Sequence, residues 1–97
     1  LVYRGEDHLF VVVNASNTDV DLAWIREHAA GSGVDVIDRT DELGMIALQG
    51  PASQAVLAKL VEGFDLGALK YYRFGFGRVA GLDGVRISRT GYTGEDG

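Results

Sequence analysis

Residues 1 to 13 carry the pattern of a β-hairpin. The tract His8–Val13 is β-branched and aromatic at successive positions, which is typical of a strand buried on both faces. Residues 1–4 are the predicted hairpin partner of this tract and are separated from it by the polar segment 5–7. The sequence therefore predicts two paired strands joined by a tight turn.

A helix is predicted next, over about 19 to 30, because apolar residues recur there at helical spacing. Its predicted inward positions are Leu22, Ile25 and Ala29. Thr18 with Asp21 resembles a capping box at the start. The segment 31–33, Gly-Ser-Gly, ends the helix.

The second half of the chain repeats this alternation of strands and helix. Residues 34–38 and 44–49 are predicted as strands, and Pro51 opens a second helix that runs to Gly63. Two further strands are predicted at 71–76 and 85–88. The order β-β-α-β-β-α-β-β predicts an α+β fold, with an antiparallel or mixed sheet and two helices.

Composition narrows the classes of function. The 97 residues form one domain or part of one, with no cysteine and a net charge of −5. Acidity argues against a nucleic acid partner, and no apolar run is long enough to span a membrane. The two histidines lack metal-ligand spacing, so no metal site is expected. Because Leu1 stands where a starting methionine would, the natural N-terminus is expected upstream.

Three local features have competing interpretations. The segment Gly75–Gly81 is one residue too long for a dinucleotide fingerprint and precedes a turn, so turn glycines are favoured. Asp7 and His8 are neighbours on a predicted strand and are expected to point apart. Trp24 and His28 share a helix face, where a core or edge contact is favoured over a binding role.

The segment 88–97, SRTGYTGEDG, combines glycines, hydroxyls and one large aromatic, Tyr92. Such a loop either lines a ligand or forms an ordinary glycine-rich turn. The same choice holds for Asn14, which either bonds the local backbone or contacts a ligand. Gln49 either faces a ligand or caps the second helix. The alternating aromatics at 71–74 supply either core packing or a wall for a flat ligand.

Three motifs resemble the aminomethyltransferase family, the T-proteins of the glycine cleavage system. They are ALQGP at 47–51, RTGYTGEDG at 89–97, and VVNASN at 12–17 followed by Asp21 and Trp24. ALQGP alone is moderately specific, whereas together with RTGYTGEDG it is a strong signature. The resemblance covers essentially the whole chain in the same order.

The resemblance implies that residues 1–97 are a single segment of a folate-binding domain in a longer chain. It implies tetrahydrofolate as cofactor and the lipoylated H-protein as partner, with an aminomethyltransferase activity that releases ammonia. It assigns no catalytic residue to this segment, because the family's aspartate lies upstream of Leu1. The folate-binding positions that it implies are Asn14, Tyr72, Tyr92 and Tyr3. It also suggests that Arg89 fixes the loop by bonding carbonyls.

Two related functions compete with this interpretation. One is a folate-dependent demethylase, or the folate domain of a dimethylglycine- or sarcosine-type dehydrogenase, but those relatives tend to depart from RTGYTGEDG. The other is a non-catalytic folate-binding protein, which usually carries a cysteine motif that is missing here. The expected compartment is the cytoplasm in a bacterium or the mitochondrial matrix in a eukaryote.

Overall fold

The computed structural model describes all 97 residues and divides into two compact units, Leu1–Gly44 and Met45–Gly97. The elements of the first unit are strands β1 (Val2–Arg4) and β2 (Leu9–Val11) and helix α1 (Thr18–Ala29). Those of the second are helix α2 (Ser53–Leu57) and strands β3 (Val61–Glu62), β4 (Phe74–Val79) and β5 (Leu82–Ser88). None of the helices has the length and apolar character needed to cross a membrane.

The predicted hairpin is confirmed, although its second strand is shorter than the apolar tract. β1 and β2 pair antiparallel, with Tyr3 opposite Phe10, and the two rings lie 5.9 Å apart. Burial on both faces is wrong, since Leu9 is 65% and Val11 44% exposed. Leu9 and Val11, two residues apart, lie on the same face of this two-stranded sheet, and that face is exposed.

The first helix is confirmed within a residue of its predicted bounds. Its half-buried side chains include the three predicted inward positions, Leu22, Ile25 and Ala29. The capping box is wrong, because a 3-10 turn at Ala15–Asn17 runs directly into the helix. Thr18 is therefore already helical, and its hydroxyl donates backwards to the Ala15 carbonyl at 3.1 Å.

The two strands predicted in the middle of the chain do not form. Residues 34–38 and 44–49 are irregular, and Ile37 and Ile46 are 77% and 92% exposed. A strand requires a neighbour to accept and donate its backbone hydrogen bonds, and neither segment has one. The observed order is β-β-α-α-β-β-β, which keeps the predicted α+β class with two helices and antiparallel pairing.

The second unit is built on the antiparallel sheet β3-β4-β5. Its most buried apolar side chains are Leu66 and Ile87, at 8% and 6% exposure. The second helix is shorter than predicted because the chain leaves it before Val61, which pairs with Val79 as strand β3. The helical spacing of apolar residues at 56–61 extended the predicted helix into β3, whose partner strand β4 lies far along the chain.

The glycines at 75 and 77 are strand residues of β4 and not turn residues, which corrects the prediction. A Cβ added at Gly75 would stand 2.5 Å from Cε2 of Phe64, and one at Gly77 would stand 3.0 Å from its Cβ. The missing side chains thus leave room for the Phe64 ring against the sheet. This use is structural and accounts for the glycine pattern without a cofactor.

Replacing Gly75 by alanine is expected to lower the free energy of unfolding by about 2 kcal/mol, because the added methyl overpacks against Phe64. Urea denaturation measures the change. Gly44→Ala is the matched control, since its added Cβ meets nothing within 4 Å. Equal stabilities of the two variants would contradict the packing role of Gly75.

Candidate functional site

The C-terminal segment 89–97 continues from the end of β5 and is tied to the residues directly before β4. Arg89 donates its backbone N–H to the Arg73 carbonyl at 3.0 Å, and the Tyr72 N–H donates to the Arg89 carbonyl at 2.9 Å. The loop therefore starts from a fixed point of the sheet, at which Tyr72 and the loop of Tyr92 converge.

The Arg89 side chain then binds three groups of the second unit. Its guanidinium donates to Oε1 of Gln54 at 2.6 Å, to the Leu66 carbonyl at 3.0 Å and to the Asp96 carboxylate at 3.4 Å. The side chain is only 20% exposed. A guanidinium offers several N–H donors in a rigid fork, so one residue fixes both ends of the loop. The predicted bond from Arg89 to a carbonyl is confirmed.

The junction that precedes α2 holds the loop from the other side. The Asp96 carbonyl accepts from the Gly50 N–H at 2.7 Å and from the buried Ser53 hydroxyl at 3.2 Å. Gln49 neither caps the helix nor faces outward, since its Nε2 donates to the Thr90 carbonyl at 3.3 Å. The two motifs ALQGP and RTGYTGEDG are therefore one structural unit, joined by hydrogen bonds.

Tyr92 differs from the residues that anchor this loop, because its side chain points into solvent. Its side chain is 87% exposed, while the backbone beside it is ordered by the Glu95 N–H, which donates to the Thr93 hydroxyl at 3.3 Å. An exposed large aromatic side chain on a fixed backbone is a feature of binding surfaces. The arrangement favours a binding loop over a plain turn.

Tyr72 lies in a turn and not in the strand that was predicted to begin at Tyr71. Its φ of 58° is in the left-handed region, which costs a non-glycine residue free energy and is often found at functional sites. Tyr71 and Tyr72 are both exposed, with rings 4.4 Å apart and edge to face. A side-chain hydrogen bond with Tyr72 raises the pKa of the Tyr71 hydroxyl.

The remaining two predicted positions, Tyr3 and Asn14, belong to the first unit. Tyr3 is half-buried in β1 against Phe10. Asn14 is exposed directly after the hairpin, and its carbonyl accepts the Asn17 N–H at 2.9 Å. Its side-chain amide makes no capping hydrogen bond with the 3-10 turn that follows, so this form of the predicted bond to local backbone is absent.

Two other features have local explanations. Asp7 and His8 do converge, contrary to prediction, with Oδ1 and Nδ1 at 2.7 Å, because both lie in the turn where strand alternation does not apply. This hydrogen bond lowers the pKa of the Asp7 carboxyl. Trp24 and His28 stack at 3.9 Å, and His28 Nδ1 donates to the Trp24 carbonyl at 2.8 Å.

Three residues that the sequence did not single out shape the site. They bind residues of the loop that lie far along the chain: Ser53 bonds to Asp96, and Gln54 and the Leu66 carbonyl bond to Arg89. A depression of about 210 Å³ lies beside them, lined by Gln54, Phe64 and Leu66 among others. Tyr72 and Tyr92 do not line it, and both of their side chains are exposed.

Comparison with known proteins decides the family. The model of the GCVT N-terminal domain matches residues 1–97, the whole chain. The chain belongs to this family. The hydrogen-bonded motifs ALQGP and RTGYTGEDG are therefore part of a GCVT N-terminal domain.

Curated relatives of this GCVT N-terminal domain are named aminomethyltransferases. The proteins from Chloroherpeton thalassium and Moorella thermoacetica are each 49% identical to it, and that from Bacillus subtilis is 47% identical. In each case the match covers all of this chain and 26% of the relative. The chain thus spans about a quarter of the length of these relatives. No solved structure matches it.

Proposed function

We propose that this chain is a single segment of the folate-binding domain of a longer aminomethyltransferase of the glycine cleavage system. The proposal is supported by the family match over residues 1–97 and by relatives named aminomethyltransferase that are about four times longer. The single observation that carries it is the exposed ring of Tyr92 on a loop fixed by Arg89, Gln49 and Ser53.

The exposed tyrosines suit a pterin, which is flat and has both apolar faces and a polar edge. Tyr92 and Tyr72 offer aromatic surface with few rotatable bonds, so little side-chain entropy is lost on binding. Both are attached to the fixed end of β5 through Arg89. In this proposal they pack against the rings of tetrahydrofolate.

Asn14 and Tyr3, in the first unit, are also proposed as folate-binding residues, since the resemblance implies both positions. The amide of Asn14 carries donors and an acceptor and makes no cap hydrogen bond with the turn that follows. It is thereby suited to the aminopyrimidine edge of the pterin. Tyr3 is half-buried in the hairpin and offers an aromatic ring.

In the proposed reaction tetrahydrofolate is the acceptor of the methylene group carried as an aminomethyl adduct on the lipoyl arm of the H-protein. Methylene-tetrahydrofolate forms, ammonia leaves, and the lipoyl arm is left as the dithiol. The residues of this segment act by orienting the acceptor, and orientation is worth several kcal/mol in well-positioned systems. The catalytic aspartate of the family is expected outside these residues, upstream of Leu1.

Ammonia release by a full-length protein that contains this chain tests the proposal. The assay combines aminomethyl-loaded, lipoylated H-protein with tetrahydrofolate, and we expect ammonia only when both are present. Unlipoylated H-protein is the control. Demethylation of dimethylglycine or sarcosine, without activity toward the H-protein, would replace this proposal with the related folate-dependent function. In a bacterium the activity is expected in the cytoplasm, and in a eukaryote in the mitochondrial matrix.

The isolated 97 residues are expected to release no ammonia under the same conditions, because the proposed pocket and its catalytic aspartate extend beyond them. The full-length protein assayed beside them is the positive control. Ammonia release by residues 1–97 alone would contradict the assignment of the catalytic group to another segment.

A further inference from the structure

The amide of Gln49 lies between two glycines of the loop that carries Tyr92. An added Cβ at Gly91 or at Gly97 would collide with Oε1 and Cδ of Gln49. Both glycines lie outside the left-handed region, since neither has a φ there. A left-handed backbone is therefore not the reason for glycine at these two positions, and what an added Cβ would meet is the side-chain amide of Gln49.

Gln49 also holds this loop by a hydrogen bond of long sequence separation. Its Nε2 donates to the carbonyl of Thr90, two residues before Tyr92. Its Oε1 is buried without a hydrogen-bond partner, and a buried acceptor without a partner is destabilising. The Nε2 donor is therefore the part of the amide that ties the loop in place.

We infer that Gln49 is a positioning residue that sets the backbone on both sides of Tyr92. It does so by donating to Thr90 and by filling the space that Gly91 and Gly97 leave open. The effect on folate rests on the function proposed above, whereas the effect on the loop does not. Gln49 is half-buried, and in this role it acts on the loop and not on the ligand.

A double-mutant cycle in the full-length protein tests this inference. The variants are Gln49→Ala, Gly91→Ala and the combination of both. Gly44→Ala is the matched control, since its Cβ meets nothing within 4 Å. Two quantities are measured for each: the Kd for tetrahydrofolate by calorimetry, and the amide hydrogen exchange of residues 89–97. Thermal melting is followed in parallel, to separate binding from overall stability.

Each single variant is expected to weaken tetrahydrofolate binding about fivefold, as expected for the loss of about one hydrogen bond, and to speed exchange in the loop. The combined variant is expected to bind no more weakly than Gly91→Ala, because alanine at 49 vacates the space that the new methyl needs. Gly44→Ala is expected to match the parent in both quantities.

The inference is overturned if Gln49→Ala leaves loop exchange unchanged, or if it lowers the melting temperature without changing the Kd. If the combined variant loses affinity by the product of the two single losses, Gln49 and Gly91 do not share a space, and the steric part of the inference is overturned. If the parent protein does not bind tetrahydrofolate, the proposed function fails. Loop exchange then decides the role of Gln49 alone, and faster exchange in Gln49→Ala supports it.

Discussion

Replacing Arg89 by alanine is expected to lower the free energy of unfolding by about 2–3 kcal/mol, the range for losing hydrogen bonds to a charged group. The guanidinium binds Gln54, the Leu66 carbonyl and Asp96 from a position that is only 20% exposed. Its removal leaves these three groups without that donor. Urea denaturation of the full-length protein measures the change.

Arg78→Ala is the matched control for this variant. Arg78 also forms ion pairs, with Glu62 at 3.7 Å and Asp83 at 3.3 Å, but its side chain is 47% exposed. Exposed ion pairs contribute about 0–1 kcal/mol, so its removal is expected to cost less than 1 kcal/mol. Equal losses in the two variants would contradict the special role of Arg89 in fixing the loop.

Replacing Tyr92 by alanine in the full-length protein is expected to weaken tetrahydrofolate binding by about 5- to 150-fold. An aromatic ring stacked on a planar heterocycle contributes on the order of 1–3 kcal/mol, and each 1.4 kcal/mol corresponds to a tenfold change in Kd. The melting temperature is expected to stay unchanged, because the ring is 87% exposed and supports no core. Calorimetry with tetrahydrofolate gives the Kd.

Tyr71→Ala is the comparison for Tyr92→Ala, since Tyr71 is also an exposed tyrosine of the second unit. We expect it to weaken binding less, because the proposed pterin contacts are Tyr92 and Tyr72. Equal losses of affinity would show that the wrong tyrosine of the adjacent pair has been assigned to the folate.

Local signals in the sequence predicted the elements that depend on local interactions. The first helix follows from the spacing of Leu22, Ile25 and Ala29, and the hairpin follows from two extended tracts around a polar turn. The α+β class follows from their alternation. The strands at 34–38 and 44–49 were wrong, because an apolar extended tract becomes a strand only when a partner completes its hydrogen bonds.

The contacts that shape the candidate site are non-local, and this is why sequence reasoning missed most of them. The bond from Arg89 to Gln54 spans 35 residues and that from Gln49 to Thr90 spans 41. The periodicity of apolar residues does not predict hydrogen bonds between residues so far apart in the chain. The left-handed turn at Tyr72 was also missed, because a tyrosine rarely adopts a positive φ and the sequence therefore gives no sign of one.

Calorimetric titration with tetrahydrofolate tests the central claim most directly, using the full-length protein and the isolated 97 residues side by side. The proposed pocket is shared with segments outside these residues. We therefore expect the full-length protein to bind tetrahydrofolate and the isolated segment to show no binding. Absence of binding by both would contradict the folate assignment, and family membership would then describe the fold without this function.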